Sequence, residues 1–447
     1  MNVILRGVRV IDPAARVDDI DRDVWIAQGR IIAIEPRIHT DGVRVVDLTP
    51  EPGLAPKVLC PGFIDVHAHL REPGGEEAET IATGALAAAA GGFTHVVAMA
   101  NTTPAIDSPW RVEEARVRAT EARVRILTAS ALTRELRGTD LVDIEGCTAS
   151  GAVAFTDDGR NAAAADVLLE GLRRTAAVSR PVLLHPEDEA ALAEIAGGRG
   201  SLVRFADRPS WAETRAIETA LDALNRAGSG HLHLQHVTCE GSIELVRAAK
   251  DRGAGVTAEV TPHHLSLVAP DKDGPARLPL YKVNPPLRGE RDRLALVDAL
   301  RDGIIDCIAT DHAPHPAREK ALPYAEAAPG LIGLETAFAM CNSVGGLDEG
   351  WLRLLIERLT VGPHRVLAGT GLLAEPRLRV GEAASCVLLD PSSEWVVGEG
   401  PPRSRSRNTP LIGKRLRGRV LLTIAEGRIV HRDELAIALP ELEPARG

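Results

Sequence analysis

Apolar residues in this 447-residue chain fall into short runs whose spacing changes twice. Runs at 3–11, 24–27, 30–34 and 43–48 are separated by Asp12-Pro13, Gln28-Gly29 and Pro36, which predicts short strands joined by turns. The same texture returns at 386–389, 420–424 and 428–431, with Gly427 before the last run. β texture at both ends around a different middle predicts that the ends meet in one small β domain. Two separate flaps are the alternative.

Between the ends, β-rich runs alternate with Ala-rich amphipathic stretches, the pattern of repeated βα units around a parallel sheet. Eight strands are predicted, at 58–66, 94–100, 125–131, 152–155, 182–185, 231–236, 255–260 and 305–310. Eight such units make a (β/α)8 TIM-type barrel, an α/β fold. An open doubly wound sheet is the alternative, disfavoured because no glycine-rich dinucleotide fingerprint follows the first strand.

Polar residues gather after these strands. The first ends in His67 and His69, the second in Asn101-Thr102-Thr103-Pro104, the fourth in Asp157-Asp158-Gly159 and the fifth in His185-Pro186-Glu187-Asp188. The sixth ends at His236, the seventh at His263-His264 and the eighth at Asp311-His312-Ala313-Pro314-His315. Catalytic residues of a barrel sit at the C-terminal ends of its strands, so this distribution predicts one active face.

Residues i and i+2 of a strand share a face, which lets His67 and His69 converge on one ion. A lone pair of histidines is weak evidence; His185, His236 and Asp311, each at its own strand end, turn it into a predicted metal site. Imidazole with carboxylate suits zinc first. At most one of the neighbours Asp157 and Asp158 aims inward, where it would bridge two ions; the other braces the loop. Asp311 is either a ligand or a proton shuttle, or both. His312 reads as structural, His263 and His264 as loop or supporting residues, and His231 and His233 as packing or oligomer-surface residues facing away from His236. Arg71, Asn101 and Asn284 supply a polar complement, the arginine offering a two-pronged fork for a carboxylate. A surface ion pair between Arg71 and Glu72 is the alternative.

Composition changes this picture little. With 3% aromatic residues, Ala, Val, Leu and Ile must fill the core. A net charge of −10 argues against nucleic acid or an anionic membrane as the main partner. The basic run Arg403-Ser404-Arg405-Ser406-Arg407 predicts a solvated loop. Six scattered cysteines without a CxxC pair predict reduced thiols in a cytoplasmic protein. No apolar run approaches the ~18–20 residues of a membrane span, and the first residues lack the apolar core of a signal peptide.

Taken together, residues 65–74 (DVHAHLREPG), 100–104 (ANTTP), 155–159 (FTDDG), 185–188, 236–238, 284–288 (NPPLR), 311–315 (DHAPH) and 333–336 (GLET) resemble the type I bacterial dihydroorotases of the amidohydrolase superfamily over essentially the full length. The resemblance implies a composite β-sandwich from residues 1–55 and 375–447 beside a metal-dependent barrel of residues 56–374. It implies that His67, His69 and Asp311 bind one Zn2+, that His185 and His236 bind a second, and that Asp158 bridges them. One or two ions per subunit fit, two being favoured. Related hydantoinases and allantoinases use a carboxylated lysine at the bridge, and strand four here has none. Substrate contacts would come from His69, Arg71, Asn101, Asn284 and His315 and from the backbone at Pro329 and Gly330. The implied reaction is the reversible hydrolysis of dihydroorotate to N-carbamoyl-L-aspartate in pyrimidine biosynthesis, with Asp311 moving the proton.

Three positions depart from the typical members: Pro186 stands for a Cys, Pro329 for a Phe, and Ala384-Ser385-Cys386 for an acidic-apolar run. Two rival readings are a hydantoinase or allantoinase, against which Arg71 and Asn101 count, and an inactive scaffold subunit of aspartate transcarbamoylase, against which the retained ligands count. An active chain that needs that transcarbamoylase as partner, and a homo-oligomer, most simply a dimer, complete the expectations.

Overall fold

The computed structural model describes residues 2–159, 164–188, 192, 208–270, 279–346 and 348–434. The N-terminal end supplies five strands: β1 (Asn2–Asp12), β2 (Val17–Ala27), β3 (Arg30–Glu35), β4 (Arg44–Asp47) and β5 (Val58–Pro61). Eight parallel strands follow: β6 (Phe63–Ala68), β7 (Phe93–Ala98), β8 (Arg125–Ser130), β9 (Ala154–Thr156), β10 (Val182–Leu184), β11 (Leu232–Leu234), β12 (Val256–Val260) and β13 (Cys307–Ile308). The C-terminal end adds β14 (Cys386–Val396), β15 (Arg415–Ala425) and β16 (Arg428–Arg432).

The two ends of the chain share one sheet, ordered β16-β15-β14-β5-β1-β2-β3, with β4 also paired to β1. The joint is the antiparallel pairing of β14 with β5, in which Cys386 lies opposite Pro61 and Leu389 opposite Val58. Separate flaps are therefore excluded. Val3, Leu5, Val24 and Ile26 from one end pack with Cys386, Leu388, Leu422 and Ile424 from the other.

The single strand expected at 58–66 is two strands in two different sheets: β5 joins the end sheet and β6 begins the barrel. The break falls at Gly62, where a Cβ would lie 2.2 Å from the Thr94 side chain. Both strands are buried throughout, so the apolar run carries no mark of the change of sheet.

Strands β6 to β13 form the (β/α)8 barrel in sequential order. Its seam is thin, because β13 has two residues. A parallel bridge between Ala68 and His312 closes it, helped by the buried Asp65, whose Oδ1 accepts Thr310 N at 3.0 Å and whose Oδ2 accepts the Thr310 hydroxyl at 2.6 Å. Below the mouth, Ile64, Val66, Val97, Leu127 and Leu183 fill the interior with Val366 and Leu367.

The arginine-rich segment is a solvated loop in half of its residues only. Arg403, Arg405 and Arg407 are exposed, and the residues between them are buried. Ser404 donates to Glu79, Ser406 Oγ to Ala78 O at 2.6 Å, and Asn408 Nδ2 to Ala313 O at 2.9 Å. This loop between β14 and β15 is therefore fastened onto the barrel mouth. Among the described residues no helix is long and apolar enough to cross a membrane, and all six cysteines are free and buried.

Candidate active site

Five strand ends converge at the mouth: β6 with His67 and His69, β9 with Asp158, β10 with His185, β11 with His236 and β13 with Asp311. Asp158 is the centre. Its Oδ1 lies 3.4 Å from His67 Nε2, 3.6 Å from His185 Nδ1 and 3.9 Å from His236 Nε2, and its Oδ2 lies 3.3 Å from His69 Nε2. Asp311 Oδ1 faces the first pair, 3.0 Å from His69 Nε2 and 3.6 Å from His67 Nε2. His185 Nδ1 and His236 Nε2 stand 2.9 Å apart. Two triads, His67–His69–Asp158 and Asp158–His185–His236, share the aspartate, and the donor atoms of each lie within 4.8 Å of one another. Asp157 turns the other way, accepting the amides of Leu132 and Thr133 at 2.9 Å.

Local backbone conformation makes this convergence possible. His236 (φ +31°) and Asp311 (φ +44°) occupy the left-handed region that L-residues visit at a cost. At His236 the turn has a specific result. His233 and Gln235 face the barrel interior by strand alternation, and the turn brings His236 inward as well. Of the two expectations for His233, packing holds and an oligomer surface does not: it is fully buried beneath the site, with Nε2 2.9 Å from Glu259 Oε2.

Arg71 (φ +60°) does not pair with Glu72, which binds Arg118 and the amide of Ile81. Its Nε donates to Pro314 O at 3.1 Å, and Nη2 lies 3.5 Å from His315 Nε2. Asn101 supports the acids and histidines: Oδ1 lies 2.9 Å from His69 Nδ1, and Nδ2 donates to Asp158 Oδ2 at 3.3 Å. Asn284 Nδ2 is 3.3 Å from His185 Nε2. The loop holding its neighbours is fastened by His264, whose Nε2 lies 3.2 Å from Pro285 O. His315 Nε2 lies 2.9 Å from Pro329 O. Gly330 has φ +140°, and a Cβ there would meet Ala313 Cβ at 2.7 Å and His315 Nε2 at 3.0 Å, so only glycine lets the loop close over His315. The same loop is latched by Lys320 Nζ, which donates to Ala328 O at 2.7 Å and Gly330 O at 3.0 Å. His312 is structural, joining Glu79 to the amide of Gly333.

The electrostatics of the cluster call for a cation. Burial lowers the basicity of His67, but Glu259, Asp158 and Asp311 outweigh it and hold its pKa well above the ordinary imidazole value. Burial likewise opposes His185, yet Asp158 and Glu187 bring it up to about 9. Burial would raise Asp158 and Asp311; the surrounding histidines overcome it and hold both below the usual carboxylate range. His67 Nε2 is buried, makes no hydrogen bond, and faces two carboxylates. Imidazole and carboxylate donors in this arrangement fit a divalent ion of zinc's chemistry.

Glu259, Gln235 and Asn408 join the site without having stood out in the sequence. Glu259 takes His67 Nδ1 at 2.6 Å, Gln235 Nε2 lies 3.2 Å from the same atom, and Asn408 Oδ1 accepts the amide of His315 at 3.1 Å. The alternation of Thr257 and Glu259 on a buried strand, beside the equally polar His231-x-His233-x-Gln235, is the signal that could have found the first two.

Residues 56–242 match the Dihydro-orotase-like family. A dihydroorotase of Anaeromyxobacter dehalogenans is 41% identical over 448 residues, covering 97% of this chain and 99% of that protein. The chain belongs to the dihydroorotase family. It is accordingly an enzyme of the amidohydrolase superfamily. A dihydroorotase of Staphylococcus epidermidis, another member, is 38% identical over 422 residues, covering 93% of this chain and 96% of its own. The fold is also that of L-hydantoinase (dihydropyrimidinase) from Arthrobacter aurescens, with a TM-score of 0.82 at 24% identity over 96% of both chains. Dihydropyrimidinase from Brevibacillus agri superposes with a TM-score of 0.81 at 22% identity over 97% of this chain and 95% of that one.

Proposed function

We propose that this family member interconverts dihydroorotate and N-carbamoyl-L-aspartate at a two-zinc centre. His67, His69 and Asp311 would hold one Zn2+, His185 and His236 the other, and Asp158 would bridge them. The observation that carries the substrate is Arg71. Among the described residues its guanidinium has no carboxylate partner, although it sits half-buried beside the cluster and lies in the fields of Asp311 and Asp158. A cation placed there is matched by a substrate carboxylate, which dihydroorotate has and a plain hydantoin lacks.

When bound, zinc supplies a Lewis acid and a water acidified towards neutrality. The chain's residues do the rest. Arg71 and His315 receive the substrate carboxylate and fix the ring's orientation, while Asn101 and Asn284 border the ring and hold His69, Asp158 and His185 in place. Asp311 accepts the proton of the attacking water and returns it to the ring nitrogen as the amide C–N bond breaks. The reverse reaction closes the ring with the same atoms and needs no further group. Gly330 and Pro329 keep the 315–330 loop close over His315.

Hydrolysis of dihydroorotate by zinc-quantified protein, with hydantoin and allantoin as controls, tests the reading; no turnover of dihydroorotate, alone or with aspartate transcarbamoylase, would overturn it. The same pair of assays decides whether that partner is required. A cytoplasmic homodimer with domains at 1–55 plus 375–447 and 56–374 belongs to the same proposal. Replacing Arg71 by Met should lower kcat/KM for dihydroorotate about 10- to 100-fold, the worth of charge-assisted hydrogen bonds, with the loss mainly in KM. An unchanged KM would remove Arg71 from carboxylate binding.

Zinc uptake should also depend on pH in a defined direction. His67 and His185 hold protons above the ordinary imidazole value of 6.5, His185 up to about 9, and must lose them to bind a metal. Affinity of the apoprotein for Zn2+ should therefore rise with pH between 6.5 and about 9, by up to ~10-fold per unit for each proton displaced. The apoprotein's own stability moves oppositely. The contribution of a raised histidine pKa is complete below 6.5 and is lost as pH climbs through about 9. Competition titrations and thermal melts across that range measure both slopes, and a flat affinity profile would contradict the assignment.

A further inference from the structure

Beneath the proposed centre, four buried or half-buried polar side chains on two neighbouring strands form a continuous chain of hydrogen bonds. His231 Nε2 lies 2.8 Å from Thr257 Oγ1, Thr257 Oγ1 lies 2.8 Å from His233 Nδ1, and His233 Nε2 lies 2.9 Å from Glu259 Oε2. The other carboxylate oxygen, Glu259 Oε1, is 2.6 Å from His67 Nδ1 and accepts the backbone amide of His236 at 3.2 Å.

The inventory of donors gives this chain a direction. A carboxylate only accepts, and a neutral imidazole donates from one nitrogen and accepts at the other. His233 therefore donates from Nε2 to Glu259 and accepts at Nδ1 from the Thr257 hydroxyl. That hydroxyl has one proton, so His231 Nε2 must donate to its oxygen. On the other side, His67 Nδ1 carries the proton that goes to Glu259 Oε1. The amide of Gln235, 3.2 Å from the same nitrogen, is a more distant and uncharged competitor. With Nδ1 protonated, the lone pair of a neutral His67 lies on Nε2, the atom that faces Asp158 and Asp311. Cys307 completes a third group of possible metal donors with His233 and Glu259. Both nitrogens of that histidine and both oxygens of that glutamate are already hydrogen-bonded, and burial holds the Cys307 thiol well above its usual pKa, so this group is a brace and not a further cation site.

We propose that Glu259 is the positioning residue of the metal centre. Through His67 Nδ1 it selects the tautomer that presents Nε2 to an ion, and through the His236 amide it holds the left-handed turn that brings the second histidine inward. His233, Thr257 and His231 in turn hold the carboxylate. One side chain outside both metal triads thus orients a histidine of each. This inference rests on the two-zinc reading above. Outer carboxylates of this kind are worth about 10- to 100-fold in metal affinity.

The test uses the full-length apoprotein and Zn2+ alone, titrated in competition with a chromophoric chelator. Glu259→Gln keeps the shape and an acceptor oxygen and removes the charge. It is expected to bind Zn2+ about 10- to 100-fold more weakly than the wild type, and its apo form, which loses the buried Glu259–His67 attraction, should melt lower. At saturating Zn2+ its KM should be unchanged. His233→Leu, which leaves the Glu259–His67 contact in place, is expected to lose less affinity than Glu259→Gln. Wild-type affinity in Glu259→Gln would overturn the proposal. So would a His233→Leu variant that melts lower and loses as much affinity as Glu259→Gln, because affinity would then follow packing alone. A wild-type apoprotein that takes up no Zn2+ would overturn the metal reading itself, and this inference with it.

Discussion

Asp311→Asn should leave a folded protein that retains much of its zinc and loses about 10²- to 10⁴-fold in kcat, the range that a positioned general acid–base contributes. The substitution is clean at this position. Asp311 has φ +44°, a conformation that Asn tolerates as readily as Asp, and the amide oxygen can still face His69 where Oδ1 now lies 3.0 Å away. The negative charge and the capacity to accept a proton disappear, while a neutral oxygen able to face the metal remains. In the native protein burial would raise the Asp311 pKa, but His67, His69 and His236 overcome it, so the group enters the reaction ionised. Stopped assays at saturating dihydroorotate, with zinc counted per chain, measure the effect. A kcat near that of the wild type would end the proton-shuttle role.

Asp158→Ala should be the most damaging single change for the metal centre. One carboxylate faces four imidazoles here, at distances from 3.3 to 3.9 Å. Its loss leaves His67, His69, His185 and His236 converging with no shared anion. Losing even an outer partner of a ligand costs about 10- to 100-fold in affinity; losing the shared inner one should exceed the upper figure for both ions together. Zinc per chain should fall below stoichiometric, and turnover should fall with it even in excess Zn2+. Retention of two tightly held ions in this variant would remove Asp158 from the bridge. The neighbouring change, Asp157→Ala, is a useful contrast. That carboxylate accepts the amides of Leu132 and Thr133, so its removal should lower the melting temperature and spare the metal.

Much of this site was legible in the sequence because strand-end chemistry is local. An HxH pair at a strand end, a DDG loop, a His after the fifth and sixth strands and DHAPH after the eighth each read as polar interruptions of an apolar pattern. Parallel strands of a barrel put such interruptions on one face without further information. The choice between Asp157 and Asp158 was not local. Alternation says that the two diverge, and only the position of the 132–133 loop shows which one turns outward. The arginine-rich run was read by its charges, and the charges are indeed solvated. The buried Ser404, Ser406 and Asn408 that alternate with them take their meaning from Glu79, Ala78 and Ala313, which are remote in the chain.

By itself, then, the sequence determined the alternating βα order, the β texture of both ends, the polar donors at the strand ends and the arginine two residues after the histidine pair. These follow from composition and period within short windows, where side-chain direction is set by the strand itself. Tertiary structure decided what depends on distance across the fold. It split the apolar run at Gly62 between two sheets, sewed the barrel seam through Asp65 and Thr310, and turned His236 and Asp311 inward through left-handed backbone. It also placed Glu259 and His233 beneath the site. A buried glutamate on an apolar strand has no local reason to be there; its reason is the imidazole that β6, two strands away across the barrel seam, brings to 2.6 Å.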